Sequence, residues 1–220
     1  MNQPLAISAA VFDMDGLLID SERLAMQAFL DTGTQFSLDL PETLYFDILG
    51  TNDKHTRQVI LSAIGDRVDA DIFFKTMDQN YYEIINAAPV PLLPGVSALL
   101  DALEERQIPA AVATSTRSEK AIIKLTEVGI YERFQHVVGG DQIANSKPAP
   151  DIYLRAASLL NIDPARCLAF EDSPNGVRAA VAAGMQTIQI PNLLQPDDEL
   201  RTLGHRVYQQ IDDVIPLLQG

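Results

Sequence analysis

Two carboxylates, one residue apart, close the first apolar run of the chain: Val11-Phe12-Asp13-Met14-Asp15-Gly16. Carboxylates are costly to bury, so they belong at the exposed end of the strand that carries them. Placed there, the pair can hold a hard cation such as Mg2+, which takes oxygen ligands. An aspartate can also attack phosphorus as a covalent nucleophile. The stretch therefore points to phosphoryl transfer, although Asp-x-Asp alone suits a solvated loop or a calcium site equally well. Three later segments offer groups that such chemistry needs. Thr114-Ser115-Thr116 brings hydroxyls, Lys147 lies in the proline-stiffened Asn145-Ser146-Lys147-Pro148-Ala149-Pro150, and Glu171-Asp172-Ser173 adds two more carboxylates.

These groups need elements that bring them together. Ala6 to Phe12 reads as a strand, and the stretch from about Ser21 to Asn86 is helical in pattern with no convincing strand. Two prolines and a glycine in Pro91-Leu92-Leu93-Pro94-Gly95 mark a linker. Val96, Leu99, Leu100 and Leu103 then recur at amphipathic-helix spacing. Short apolar strands follow at Ile108–Ala113, His136–Val138, Cys167–Phe170 and Thr187–Ile190, with an edge strand at Val207-Tyr208. Between them lie a helix opened by a capping box at Thr116-Arg117-Ser118-Glu119 and ending at Gly129, and helices at Asp151–Leu160 and Asn175–Ala183. A last helix covers about Asp212 to Leu218. Strands alternating with helices predict a parallel sheet covered on both faces. Such sheets bind ligands at the carboxyl ends of their strands, which is where each chemical segment falls.

Composition narrows the partners. The 220 residues suffice for one core plus a small accessory domain. A net charge of −14 argues against nucleic acid or an anionic membrane, since both require basic patches. It also means that a phosphorylated substrate needs local positive charge from a metal, a lysine or a helix N-terminus. The single cysteine, Cys167, excludes an intrachain disulfide and reads as buried packing. No secretory leader and no bilayer-length apolar stretch are evident, so a soluble cytoplasmic protein is expected; a monomer is the accompanying expectation.

In this order the four segments resemble the haloacid dehalogenase-like hydrolase superfamily. Phe12-Asp13-Met14-Asp15-Gly16, Ala113-Thr114-Ser115-Thr116, Ser146-Lys147-Pro148 and Phe170-Glu171-Asp172-Ser173-Pro174-Asn175-Gly176 look like its four motifs. The helical stretch after the first resembles the alpha-helical cap of the beta-phosphoglucomutase and sugar-phosphate phosphatase branch. The resemblance implies an α/β fold: a Rossmann-like parallel-sheet core over 1–18 and 91–220, with an all-helical cap inserted at 19–90. It implies Asp13 as the nucleophile that becomes an aspartyl phosphate, and Asp15 as the acid that protonates the leaving oxygen and later activates water. Mg2+ would be held by the Asp13 carboxylate, the Asp15 carbonyl and the Asp172 carboxylate, with Glu171 in the inner or outer shell. Lys147, the Thr114 hydroxyl and the Ser115 N–H would bind the phosphate. Asp15 sets the chain apart from dehalogenase and phosphonatase relatives, which generally lack the second aspartate.

Plainer roles compete for several of these residues. Asp172-Ser173 also suits a helix N-cap, and Lys147 an ordinary surface position. Thr116 reads as a cap and nothing more, Asn175 as support or a turn, and Tyr81-Tyr82 as cap core or cap surface. His55, His136 and His205 show no ligand spacing. The cap turn Leu49-Gly50-Thr51-Asn52-Asp53-Lys54 resembles the one that faces the active site, which makes Thr51, Asn52 and Lys54 the candidate specificity residues. Mutases of this branch place an arginine near this turn and a histidine around Ala25; the chain has Asp53 and Ala25. The resulting expectation is a Mg2+-dependent phosphatase of a small phosphorylated metabolite such as a sugar or polyol phosphate. A phosphosugar mutase and a catalytically idle regulatory protein of the same fold are the alternatives.

Overall fold

The computed structural model describes residues 5–49, 51, 53–88 and 90–219. Six parallel strands form the central sheet: β2 (Ala9–Phe12), β3 (Ala110–Thr114), β4 (His136–Gly139), β5 (Cys167–Glu171), β6 (Gln186–Gln189) and β7 (Arg206–Val207). Their order is β4-β3-β2-β5-β6-β7. The expected first strand is split. β1 (Leu5–Ala6) pairs with β8 (Leu218–Gln219) in a separate two-stranded sheet, and Ser8 N–H turns to the Arg166 carbonyl before β2 begins. The helical stretch of the sequence resolves into α1 (Ser21–Gln35), α2 (Glu42–Phe46), α3 (Asp53–Ile64) and α4 (Ala70–Ala87), all between β2 and β3.

The period-2 alternation of a strand explains why both sheet faces are covered. Ala10 and Phe12 of β2 belong to one core cluster, where α5 (Val96–Glu105) and α6 (Ser118–Glu127) pack. Ala9 and Val11 belong to another, beneath α7 (Asp151–Leu160) and α8 (Pro174–Ala182). A third cluster, including Phe29, Tyr45, Ile60, Phe73 and Phe74, lies among the inserted helices and is joined by Leu193 and Leu194. Among the described residues, no helix is long and apolar enough to cross a membrane.

Two expected elements differ. The C-terminal helix is a 3-10 segment over Ile211–Leu217 with Pro216 inside it. Proline lacks the N–H an α-helix would use there and its ring crowds the carbonyl four residues back, which favours the tighter turn. The capping box before α6 is also absent: the N-cap is Arg117, with no side-chain cap bond. Asp141 caps the helix from a distance, accepting from Ser118 N–H at 2.6 Å and from its hydroxyl at 2.9 Å.

The chain enters and leaves the inserted helices side by side. Asp20 N–H donates to the Pro91 carbonyl at 3.0 Å and Leu93 N–H to the Leu18 carbonyl at 3.0 Å. Ile19 and Leu92 form an antiparallel bridge. The two crossings between the core and the inserted helices are thus hydrogen-bonded to each other.

At the centre of the sheet, Phe12 and Phe170 are in register, fully buried and stacked with centroids 4.7 Å apart. Truncating a buried phenylalanine loses its burial and leaves a cavity. Phe170→Ala is therefore expected to lower stability by about 3–5 kcal/mol, measured by urea unfolding. A loss below about 1 kcal/mol would contradict this packing.

Candidate active site

Because β2 lies between β3 and β5, the ends of these three strands converge on one rim. Asp13 follows β2, and its N–H donates to the Phe170 carbonyl at 3.0 Å. Thr114 ends β3, Glu171 ends β5, and Asp172 follows it. Lys147 comes from the loop between β4 and α7 and is only 5% exposed. Its ammonium donates to Asp13 Oδ1 and to Glu171 Oε1, both at 2.5 Å. Burial of this lysine is tolerable because both carboxylates surround it, and they raise its pKa against the opposing effect of desolvation.

One lysine does not balance the site. Asp13, Glu171 and Asp172 each present an oxygen within 4.8 Å of the others, and all three are buried. Burial, opposed by Lys147, pushes the Asp13 carboxyl up to about 8. Burial and the neighbouring Glu171 raise Asp172 as well. Three desolvated carboxylates around a single ammonium suit an oxygen-preferring divalent cation, which would relieve the remaining negative charge. The backbone also comes close: a Cβ on Gly16, whose φ is +83°, would lie 2.5 Å from Asp172 Oδ2.

Glu171 is already engaged. Oε1 accepts from Lys147 and from the Tyr153 hydroxyl at 2.6 Å. Oε2 accepts from Asp172 N–H, Ser173 N–H and the Ser173 hydroxyl at 3.1–3.2 Å. Five donors on two oxygens make Glu171 an anchor for its neighbours. A Cβ on Gly176 would fall 1.8 Å from Glu171 Oε1, so α8 can dock here only through a glycine.

Asp15 has a different environment. Oδ1 accepts from the Ser21 hydroxyl at 2.5 Å and the Lys124 ammonium at 2.7 Å. Oδ2 accepts from the Thr116 hydroxyl at 2.7 Å and more weakly from Thr114 at 3.4 Å. Burial raises its pKa, but Lys124 and the hydroxyl donors outweigh burial and hold it below the ordinary carboxylate value. Next to it, burial and the Asp15 charge lift Glu22 to about 7, and the Tyr45 hydroxyl donates to Glu22 at 2.8 Å.

Both aspartates open onto a cavity of about 520 Å³ between the inserted helices and the sheet rim. Glu22, Ala25, Tyr45, Ile48, Tyr81 and Tyr82 line it from the inserted helices. Thr114, Ser115, Thr116, Arg117, Lys120 and Lys124 line it from the core side.

Asp13, Asp15, Thr114, Ser115 and Asp172 all border this cavity, while Lys147 and Glu171 lie behind Asp13. Lys147 is not at the surface, and the N-cap of α8 is Ser173, which accepts from Gly176 N–H. Of the cap residues, Thr51 lines the cavity, Lys54 is exposed and does not, and Asn52 lies outside the described residues. Asn175 reaches the turn between α2 and α3, donating to the Leu49 carbonyl at 3.5 Å.

The sequence reading missed several neighbours. Thr116 binds Asp15 instead of capping a helix. Tyr81 and Tyr82 face the cavity. Tyr153, on the buried side of α7, holds Glu171. Lys124 carried a legible signal: Ala121, Lys124, Leu125 and Val128 form an i, i+3, i+4, i+7 stripe, with a lysine where an apolar residue is expected.

The family model described as haloacid dehalogenase-like hydrolase matches residues 10–190. The chain is 35% identical to protein CbbY of Rhodobacter capsulatus, over 92% of this chain and 93% of that protein. It is 31% identical to the phosphorylated carbohydrates phosphatase of Thermotoga maritima, over 83% and 84% of the two chains. The crystal structure of a putative beta-phosphoglucomutase from Thermotoga maritima superposes with a TM-score of 0.78 at 27% identity, covering 96% of this chain and 98% of that one. With a six-stranded parallel sheet, inserted helices and a family match over most of its length, the chain belongs to the haloacid dehalogenase-like hydrolase family.

Proposed function

We propose that the chain is a Mg2+-dependent phosphatase of a small phosphorylated metabolite, a sugar or polyol phosphate, acting through an aspartyl phosphate on Asp13. The observation that carries this reading is the division of labour between two aspartates two positions apart. Asp13 sits among buried carboxylates and Lys147, where a cation and a phosphoryl group can be held. Asp15 faces the cavity among hydroxyls and Lys124, where a leaving group would lie.

In the first half-reaction an Asp13 carboxylate oxygen bonds to phosphorus and the bond from phosphorus to the leaving oxygen breaks. Asp15, ionised before substrate arrives, relays to that oxygen the proton that the bound monoanionic phosphate ester carries. In the second, water attacks the phosphorus and gives its proton to Asp15, releasing inorganic phosphate and restoring the Asp13 carboxylate. Lys147 holds Asp13 in place throughout, and Thr114 and Ser115 offer donors to the phosphoryl oxygens. Asp13, Asp172 and the Asp15 carbonyl would hold Mg2+, with Glu171 supporting them from outside. When bound, Mg2+ offsets the charge of an anion attacking an anion.

Residues 19–90 act in this proposal as the cap that selects the leaving group. Glu22 and Tyr45 supply polar contacts for substrate hydroxyls, and Tyr81 and Tyr82 supply flat apolar surface. The name of the Thermotoga relative, a phosphatase of phosphorylated carbohydrates, supports this substrate class. Ala25 supports hydrolysis over the mutase alternative, because this position on the cavity wall carries no imidazole.

Asp13→Asn should fold normally and release no phosphate above background from any substrate. Phosphate release at a near wild-type rate by a purified variant would refute the covalent mechanism. A coupled isomerisation assay on phosphosugars should remain silent where wild type releases phosphate; sustained isomerisation without release would favour the mutase. Chelation with EDTA should abolish turnover and added Mg2+ should restore it. Asp172→Ala should raise the Mg2+ needed for half-maximal rate by at least about tenfold, since a hard cation loses an anionic ligand. An unchanged Mg2+ titration would remove Asp172 from the metal site.

A further inference from the structure

Lys124 has no part in the mechanism above, yet it makes one of the shortest contacts to Asp15. It projects from the last turn of α6, where a lysine would ordinarily lie near the helix carbonyls or in water. Instead its side chain is only 20% exposed and its ammonium is 2.7 Å from Asp15 Oδ1. The Tyr81 ring of α4 lies 5.7 Å from the same ammonium. The other donor to Oδ1, Ser21, is the first residue of α1. Core helix, inserted helices and the carboxylate therefore meet around this ion pair.

The four contacts are divided by oxygen. Ser21 and Lys124 share Oδ1, while Thr116 and Thr114 share Oδ2. If the Thr114 hydroxyl turns to a bound phosphoryl group, as the proposed function requires, it leaves the Oδ2 side. Nothing in that exchange disturbs Oδ1. A carboxylate fixed through one oxygen keeps its plane and presents the other along a defined direction, which proton transfer demands.

We infer that Lys124 is the positioning residue of Asp15: its ammonium, with the Ser21 hydroxyl, clamps Oδ1 and so aims Oδ2 at the leaving oxygen. The inference rests on the phosphatase reading. Lys124 acts through Asp15 and exchanges no proton with substrate. A purely structural ion pair would slow every substrate alike through loss of folded or well-ordered protein. A positioning residue slows the substrates that need a proton. Alkyl phosphates have poor leaving groups and need it, whereas p-nitrophenyl phosphate leaves as a stable anion and needs it little.

The test measures kcat/KM of wild type, Lys124→Met, Lys124→Arg, Asp15→Asn and the Lys124→Met/Asp15→Asn pair, on a polyol phosphate and on p-nitrophenyl phosphate. For Lys124→Met the alkyl substrate should lose about 10- to 100-fold, a fraction of full acid–base catalysis. The aryl substrate should lose at least about tenfold less than that. Asp15→Asn should show the same bias more strongly, and adding Lys124→Met to it should cost nothing further, since the clamp then has no acid to aim. Lys124→Arg should recover most of the alkyl activity. Equal losses on both substrates, no loss, a gain, or an additive double variant would overturn the inference. If Lys124→Met fails to fold by circular dichroism, Lys124→Gln takes its place with the same expectations. A wild-type protein that releases phosphate from neither substrate would sink the phosphatase reading itself, and the positioning role with it. Turnover in wild type with equal losses in the variant sinks the positioning role alone.

Discussion

Lys147 is the interaction on which the site depends. Its ammonium is shared between Asp13 and Glu171 at equal distance, deep beneath the rim. Breaking a buried charge cluster by removing one partner is expensive, because the charges left behind remain desolvated. The elements contributing to this knot are consequently fixed relative to one another: β2 through Asp13, β5 through Glu171, and α7 through Tyr153. The loop carrying Lys147 joins them, although it belongs to no strand. Ser173 extends the same network into the first turn of α8, and Gly176 lets that helix approach. A rim built this way has little freedom at Asp13, which suits the in-line attack proposed for it.

The second aspartate lies at a softer boundary. Asp15 is held by residues of both the core and the inserted helices, so its setting depends on how those two parts meet. The chain crosses between them as two hydrogen-bonded strands, Leu18–Asp20 beside Pro91–Leu93. Tied crossings resist independent bending and favour motion of the inserted helices as a unit about one line. Further contacts cross the boundary away from the crossings. Asn192, anchored within the core on the Gly16 carbonyl, accepts from Arg23 of α1, and Leu193 and Leu194 pack into the helical cluster. Any such motion would have to loosen these contacts.

Much of the architecture was legible because local signals and tertiary packing agree. The helix Asp151–Leu160 matches its expected span, bounded by Pro150 before it and by Asn161 in the left-handed conformation after it. The rim residues were legible because they follow strands, where a parallel sheet exposes its ligand-binding ends. What escaped was set by partners distant in sequence. The first apolar run looked continuous, but its opening pairs with residues near 218, which no local pattern reveals. Thr116 has every local mark of a cap; Asp141 took that task and left the Thr116 hydroxyl for Asp15. Tyr153 looked like one more residue of an apolar helix, since its value lies in a hydroxyl 2.6 Å from a carboxylate on another element.

The charge of the chain explains why so few cations do so much. A net charge of −14 opposes the approach of a phosphate dianion, so the site must present positive charge locally. Its two inner lysines are each committed to a carboxylate: Lys147 to Asp13 and Glu171, Lys124 to Asp15. They offset charge that the protein itself buries, and little remains for the substrate. Arg117 and Lys120 also line the cavity, but both are exposed to solvent, where their attraction is screened. The unbalanced carboxylates of Asp13 and Asp172 thus have a physical purpose. In the proposed phosphatase a divalent cation held between them would bring to the rim the charge that the lysines have already used.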